Sequence, residues 1–264
     1  MVSDFPFELL ALAALGVTSF HAWKQGGLRP PLFWWQMVIV VVTSTVWAGL
    51  LLTAGWRTDF GTALWAIAAA SSIAFAIIAY RWTFAQKLTP LLMPYLTVLG
   101  LLGSMVRGEP HPMNDAAPPL WLDLHITIAV TVMGLLTITA VSALSVALQE
   151  RALKKKTSGS LSALLPSVND AETLSGILLA LAQLMLGIGL LSGMAIEYYE
   201  TGHFLQFDHK TLLSIMAFVL IGLLFIGHRI CGVRGRIAAR VVLTAYLLLM
   251  LASPGVKFVT QVLM

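Results

Sequence analysis

The stretch H-F-L-Q-F-D-H-K at 203–210, an apolar run, and G-H-R-I-C-G-V-R-G-R at 227–236 decide how the chain is read. The run between them has the length of a membrane crossing, roughly 20 residues for a hydrocarbon core of about 30 Å. A histidine stands at each end: His209 between Asp208 and Lys210, and His228 beside a cluster of arginines. The nineteen residues from one to the other correspond to about 28 Å of continuous helix, so the two cannot ligate one iron together.

Working outward, the 264 residues are 58% hydrophobic and 11% charged, with mean hydropathy +0.87, where a soluble domain carries about a quarter charged residues. The expected fold is all-α: a polytopic integral membrane helical bundle, one membrane domain over 1–264, in contact with the lipid bilayer. About eight transmembrane helices are expected, near 5–23, 34–54, 62–80, 88–106, 121–148, 174–196, 210–228 and 238–258. Twelve of the sixteen basic residues fall in alternate loops on one side, including Lys24, Arg81, Lys87, Lys154–Lys156 and the arginines from Arg229 to Arg240. The positive-inside rule places that side in the cytoplasm and both termini outside. The net charge of +4 therefore reports topology, and nucleic acid is not an expected partner. Asp4 and Glu8 stand where a signal peptide would be basic, so the first apolar run reads as a retained helix.

Small residues at four-residue spacing, Ala66, Ala70 and Ala74 in one span and Gly189 and Gly193 in another, read as faces where helices approach closely. The 107–120 loop, with His111 among Pro110, Pro112, Pro118 and Pro119, reads as irregular and extended. The basic linker 149–173 reads as a solvated loop that sets topology, or else as a docking surface for lipid headgroups or a protein.

The six histidines are the residues best suited to chemistry, because neutral imidazole is a standard axial ligand of haem iron. His111, His125, His203 and His209 lie at the expected outer end, and His21 and His228 at the inner end. Helical periodicity puts His125 on one face with Trp121, Ile128 and Val132, an aromatic and aliphatic wall suited to a flat porphyrin. The plainer alternative is an interfacial histidine bonded to a loop. Asp208 reads as the N-cap of the segment that begins with His209. Any second ligand for His228 must come from another helix, and His21 is the histidine at that depth. Arg229, Arg234, Arg236 and Arg240 are either topogenic or positioned to pair with haem propionates, as guanidinium pairs with carboxylate. The single cysteine, Cys231, excludes an internal disulfide and the C-x-x-C-H signature of covalent haem attachment, so the chain is not itself a c-type cytochrome; the cofactor expected is a non-covalent haem b. H-E-x-x-H, Walker A, G-x-G-x-x-G and G-x-S-x-G sequences are absent, and the chain is not expected to be an enzyme.

W-L-D-L-H at 121–125 ahead of a long apolar helix and a basic linker, D-H-K at 208–210, G-H-R at 227–229, G-V-R-G-R-I-A-A at 232–239 and P-G-V-K at 254–257 occur in order. Over roughly 121–257 this series resembles the cytochrome c assembly membrane proteins of the CcsA and HemX type; the first four spans match in hydropathy alone. The resemblance implies a bacterial inner-membrane protein that binds or moves haem toward the outer face. Its implied partners are haem and an apocytochrome c or another cytochrome c assembly subunit. His125 resembles the outer-face haem histidine, and His228 a transmembrane haem histidine near the inner side. His209 occupies the place of a proline in the family's tryptophan-rich segment. Phe207 stands where a tryptophan is usual, 197–210 has no tryptophan, and no histidine follows His228. These departures resemble the smaller HemX-like branch, which is associated with control of tetrapyrrole synthesis. The competing expectations are a membrane scaffold or regulator that recruits a soluble partner through its basic loops, and a small-solute transporter.

Overall fold

The computed structural model describes residues 5–24, 30–53, 59–106, 118–156, 160–203 and 208–259. The expectations for His111 and its loop, and for Phe207, lie outside the described residues. The helices are α1 (Phe5–Lys24), α2 (Pro30–Thr53), α3 (Phe60–Arg81), α4 (Thr89–Met105), α5 (Pro119–Lys155), the short α6 (Ser160–Leu164), α7 (Val168–Thr201), α8 (His209–Cys231) and α9 (Gly235–Met250). A 3-10 turn at Thr83–Leu88 leads into α4, and a π-helical turn at Leu251–Gly255 continues α9. There are no strands among the described residues.

The protein is an all-α, polytopic membrane bundle. Seven helices, α2, α3, α4 with its leading turn, α5, α7, α8 and α9, are long and apolar enough to cross a membrane. The eighth expected crossing corresponds to α1, whose 20 residues have the length but include Glu8, His21 and Lys24. Leu184, Leu191, Ile77 and Leu223 lie exposed on the outer faces, where a soluble fold would bury them and a membrane protein meets hydrocarbon.

The helices form two closed rings of four. In the first, α1 packs on α2 and α4, and α3 packs on α2 and α4. In the second, α5 packs on α7 and α9, and α8 closes the ring against α7 and α9. The rings meet mainly along α3 and α5, where Gly134 brings α5 so close to Ala70 that a Cβ on it would stand 3.1 Å from the Ala70 methyl. Ala70 thus marks a packing face, as its spacing suggested.

Within the first ring, Trp47 and Trp65 pack edge to face at 6.4 Å. Pro94, inside α4, has no N–H to give the Pro90 carbonyl one turn earlier, and the Trp23 indole of α1 donates to that carbonyl at 2.8 Å. A helix defect is thereby converted into an interhelical bond.

The second ring departs most from the expected lengths. α5 has 37 residues and α7 has 34, about 55 Å and about 51 Å, well beyond one hydrocarbon thickness. α7 begins at Val168 instead of 174 because Ser167 caps it, accepting the Asp170 N–H at 3.2 Å while its hydroxyl donates to the Asp170 carboxylate at 2.7 Å. The linker read as a loop over 149–173 is therefore mostly helix. Gln149 on α5 holds what remains by donating to the carbonyls of Ser162 (2.8 Å) and Pro166 (3.1 Å).

Candidate functional site

The chemistry-bearing residues gather at the two ends of the second ring. At the end that carries the basic residues, α8 stops in a glycine turn. Gly232 sits at φ +63°, the left-handed conformation that ends helices cheaply only for glycine, and Val233 N–H reaches back to the Gly227 carbonyl at 3.2 Å. The turn carries the Val233 carbonyl back to His228, whose Nδ1 lies 3.0 Å from it. A carbonyl only accepts, so Nδ1 carries a proton, and in the neutral ring the lone pair is on Nε2.

His228 is exposed at the mouth of a cavity of about 160 Å³ to which all four helices of the ring contribute. Ala143, Leu179, Leu224 and Phe225 supply apolar wall; Glu172 and Arg234 join His228 as its charged or titratable lining. Arg229 is exposed and does not line the cavity, whereas Arg234 does. Glu172 had no signal in the sequence, because an acidic residue near a loop says little about topology.

At the other, acidic end, His125 projects from α5 against α7. Its Nδ1 stands 2.8 Å from the Ser192 hydroxyl, and that hydroxyl donates its single proton to the Gly189 carbonyl at 3.0 Å. The hydroxyl lone pairs then accept from Nδ1–H, which again leaves Nε2 with the lone pair. The ring lies directly on Gly193, where an added Cβ would come within 3.2 Å of its Cε1. Ile128 and Val132 are buried on the same face, while Trp121 is 43% exposed. Lys210, in the first turn of α8, is close enough for its charge to act on the His125 ring.

The remaining predicted residues stand apart from these two settings. His209 is exposed at the start of α8, where Asp208 caps the helix by accepting the Thr211 N–H at 2.8 Å. Partial burial works against ionisation of Asp208, yet the Thr211 hydrogen bonds and the charges of Lys210 and His209 hold its carboxyl below the usual range. His203 is exposed after α7. His21 does not line the His228 cavity: it belongs to the first ring, where the Gln36 amide nitrogen lies 2.5 Å from its Nδ1.

A family model for cytochrome C assembly proteins matches residues 32–264. The chain belongs to the cytochrome c assembly protein family. It is also 43% identical over 270 residues to the uncharacterized 28.8 kDa protein in the nifR3-like 5′ region of Azospirillum brasilense, an alignment that covers 100% of both chains. As a member of the cytochrome c assembly family and a multi-pass membrane protein, it has its role in cytochrome c biogenesis.

The group handled in that process is haem, and the two histidine settings suit it in donor chemistry. A metal-ligating histidine ordinarily gives its second ring N–H to a carbonyl or other acceptor, which fixes both tautomer and orientation. His125 and His228 have that arrangement. Space is more restrictive. The cavity of about 160 Å³ beside His228 is well below the 300–1,000 Å³ typical of pockets for drug-sized ligands, so a whole porphyrin needs the ring to part. Among the ring's interfaces the α7–α8 seam is the thinnest.

Proposed function

We propose that this member of the cytochrome c assembly family binds haem b non-covalently at the bacterial inner membrane, through His125 at one end of the second ring and His228 at the other, and passes it on for cytochrome c assembly. The observation that carries the reading is the shared arrangement of these two imidazoles: Nδ1 faces a protein acceptor, and Nε2 makes no hydrogen bond among the described residues. Haem iron supplies the Lewis acidity that such a nitrogen satisfies. Arg234 at the mouth of the basic-end cavity, with Arg229 nearby in sequence, supplies cationic partners for propionates. Lys210 does the same near His125. Both termini are assigned to the outer side, which makes the His228 end cytoplasmic. His21 and His209 contribute no ligand in this arrangement. Trp121, exposed one turn before His125, offers an aromatic edge beside it.

Purification in mild detergent tests the proposal. The expected result is a Soret band that weakens in both His125→Ala and His228→Ala. A colourless, folded preparation that cannot be reconstituted with haem would overturn it.

A second reading has an observation of its own. α5 runs well past one membrane thickness and ends in exposed Lys154, Lys155 and Lys156. A projecting cationic helix suits recruitment of a soluble acidic partner by a membrane regulator. Co-purification of such a partner, lost on neutralising the three lysines, would favour this role over haem handling.

A further inference from the structure

The connection from α8 to α9 is three residues long, Gly232–Arg234, and it is fastened on both sides. On the α8 side the fastening is local, through Val233 N–H and the Gly227 carbonyl. On the α9 side it comes from another helix: the Glu172 carboxylate of α7 accepts the N–H of Gly235, the first residue of α9, at 2.6 Å. A second carboxylate, Glu150 of α5, lies so close to Gly235 that a Cβ there would overlap its Oε1. Gly235 itself has φ +60°, so it needs glycine both for its backbone and for the space. Two carboxylates from two neighbouring helices thus converge on the positive end of the α9 dipole, where negative charge is favoured. Between the two fastenings sits Val233, whose carbonyl receives the Nδ1–H of His228.

We infer that Glu172 is the positioning residue for His228: by holding Gly235 it holds the Val233 carbonyl in place, and so fixes the tautomer and aim of the imidazole. The inference rests on the haem reading only for what Nε2 then does; the geometry stands without it. Glu172 shares the cavity wall with His228 and Arg234, but its Oε1 is spent on a main-chain N–H, and it acts through the turn, not as a ligand. A charge-assisted bond of this length is about twice as strong as a neutral one, which suits a fastening between two helices.

Nitrogen NMR of isotope-labelled histidine in the haem-free protein, in detergent micelles, reads the tautomer directly. The His228 signal, identified by its loss in His228→Gln, is expected to be a single Nδ1–H form in the wild type. Glu172→Leu is expected to give a mixture of both tautomers. Glu172→Gln, whose amide oxygen still accepts from Gly235, is expected to restore the single form. If Glu172→Leu does not fold, Glu172→Asp, which keeps the charge but shortens the reach, is expected to give the mixture. A single Nδ1–H form in Glu172→Leu or in a folded Glu172→Asp overturns the inference. Haem titration then separates this result from the haem reading: affinity is expected to fall about tenfold or more in Glu172→Leu and to recover in Glu172→Gln. A tautomer that responds in a protein unable to take haem would keep the positioning role and discard the haem reading. A haem-binding protein whose tautomer does not respond would do the opposite.

Discussion

His125 and His228 hold their imidazoles in the same protonation pattern by different means. His125 is half-buried between α5 and α7, and its acceptor is a side chain, Ser192, on a neighbouring helix. His228 is exposed, and its acceptor is a main-chain carbonyl only five residues away in its own chain. A side-chain acceptor is removed by one substitution, and the imidazole stays packed on Gly193. A main-chain acceptor cannot be mutated away; it is lost only when the turn that carries it bends. The acidic-end setting is therefore local, and the basic-end setting depends on residues that never touch the histidine.

The largest effect that could break the comparison comes from the histidines themselves. His125→Ala and His228→Ala are each expected to abolish binding at one end and leave the other, so their haem spectra should differ from each other and add to that of the wild type. Loss of all haem in either variant would show that the ends do not load independently. Next in size, Ser192→Ala should weaken haem at the His125 end by about 10- to 100-fold, read by titration in the His228→Ala background, with no effect at the His228 end. Gly232→Ala should cost about 1–2 kcal/mol in thermal or denaturant unfolding, because alanine is strained at φ +63°, and should disturb the His228 signal but not that of His125.

The smallest effect concerns Asp208, which starts the helix connecting the two ends. Asp208→Ala should cost about 1 kcal/mol by loss of the cap. Because its folded pKa lies below the unfolded value, its contribution is complete above the unfolded pKa and is lost as pH falls through the folded one. Stability followed across the acid range should show that loss in the wild type and not in Asp208→Asn, which keeps a capping oxygen without the charge.

Hydropathy and charge made the membrane bundle and the two ends of α8 legible, because a crossing needs a length of apolar chain and its loops sort by charge. His125 was legible as a candidate ligand and Gly193 as a packing position. That they touch was not, because Ser192, the next residue to Gly193, lies 67 positions from His125 and such pairs leave no local pattern. That His21 and His228 stand at helix ends was readable, but lateral position was not: membership of one ring or the other is decided by which helix faces fit, and hydropathy is blind to that. The length of α5 was legible in part, since its span over 121–148 already exceeds a perpendicular crossing; its continuation to Lys155 and the early start of α7 were not, because polar helix ends resemble loops until a cap such as Ser167 is recognised. Arg234 was legible only as one of four arginines, and its place on the cavity wall follows from a turn whose geometry two glycines set.

One contact bears on the whole assembly. Thr137 of α5 donates to the Met133 carbonyl at 2.8 Å, so Tyr246 of α9 must donate to Thr137 at 3.0 Å, and Tyr95 of α4 to Tyr246 at 2.6 Å. In a lipid solvent helices gain no hydrophobic drive from meeting, so the register of the two rings rests on close packing, such as Gly134 on Ala70, and on polar contacts between them. Three hydroxyls at mid-depth that satisfy one another at a single setting act as a key in a lock. Together with that packing they select one vertical and rotational register for the two rings, and with it the relative heights of the helix ends that carry His125 and His228.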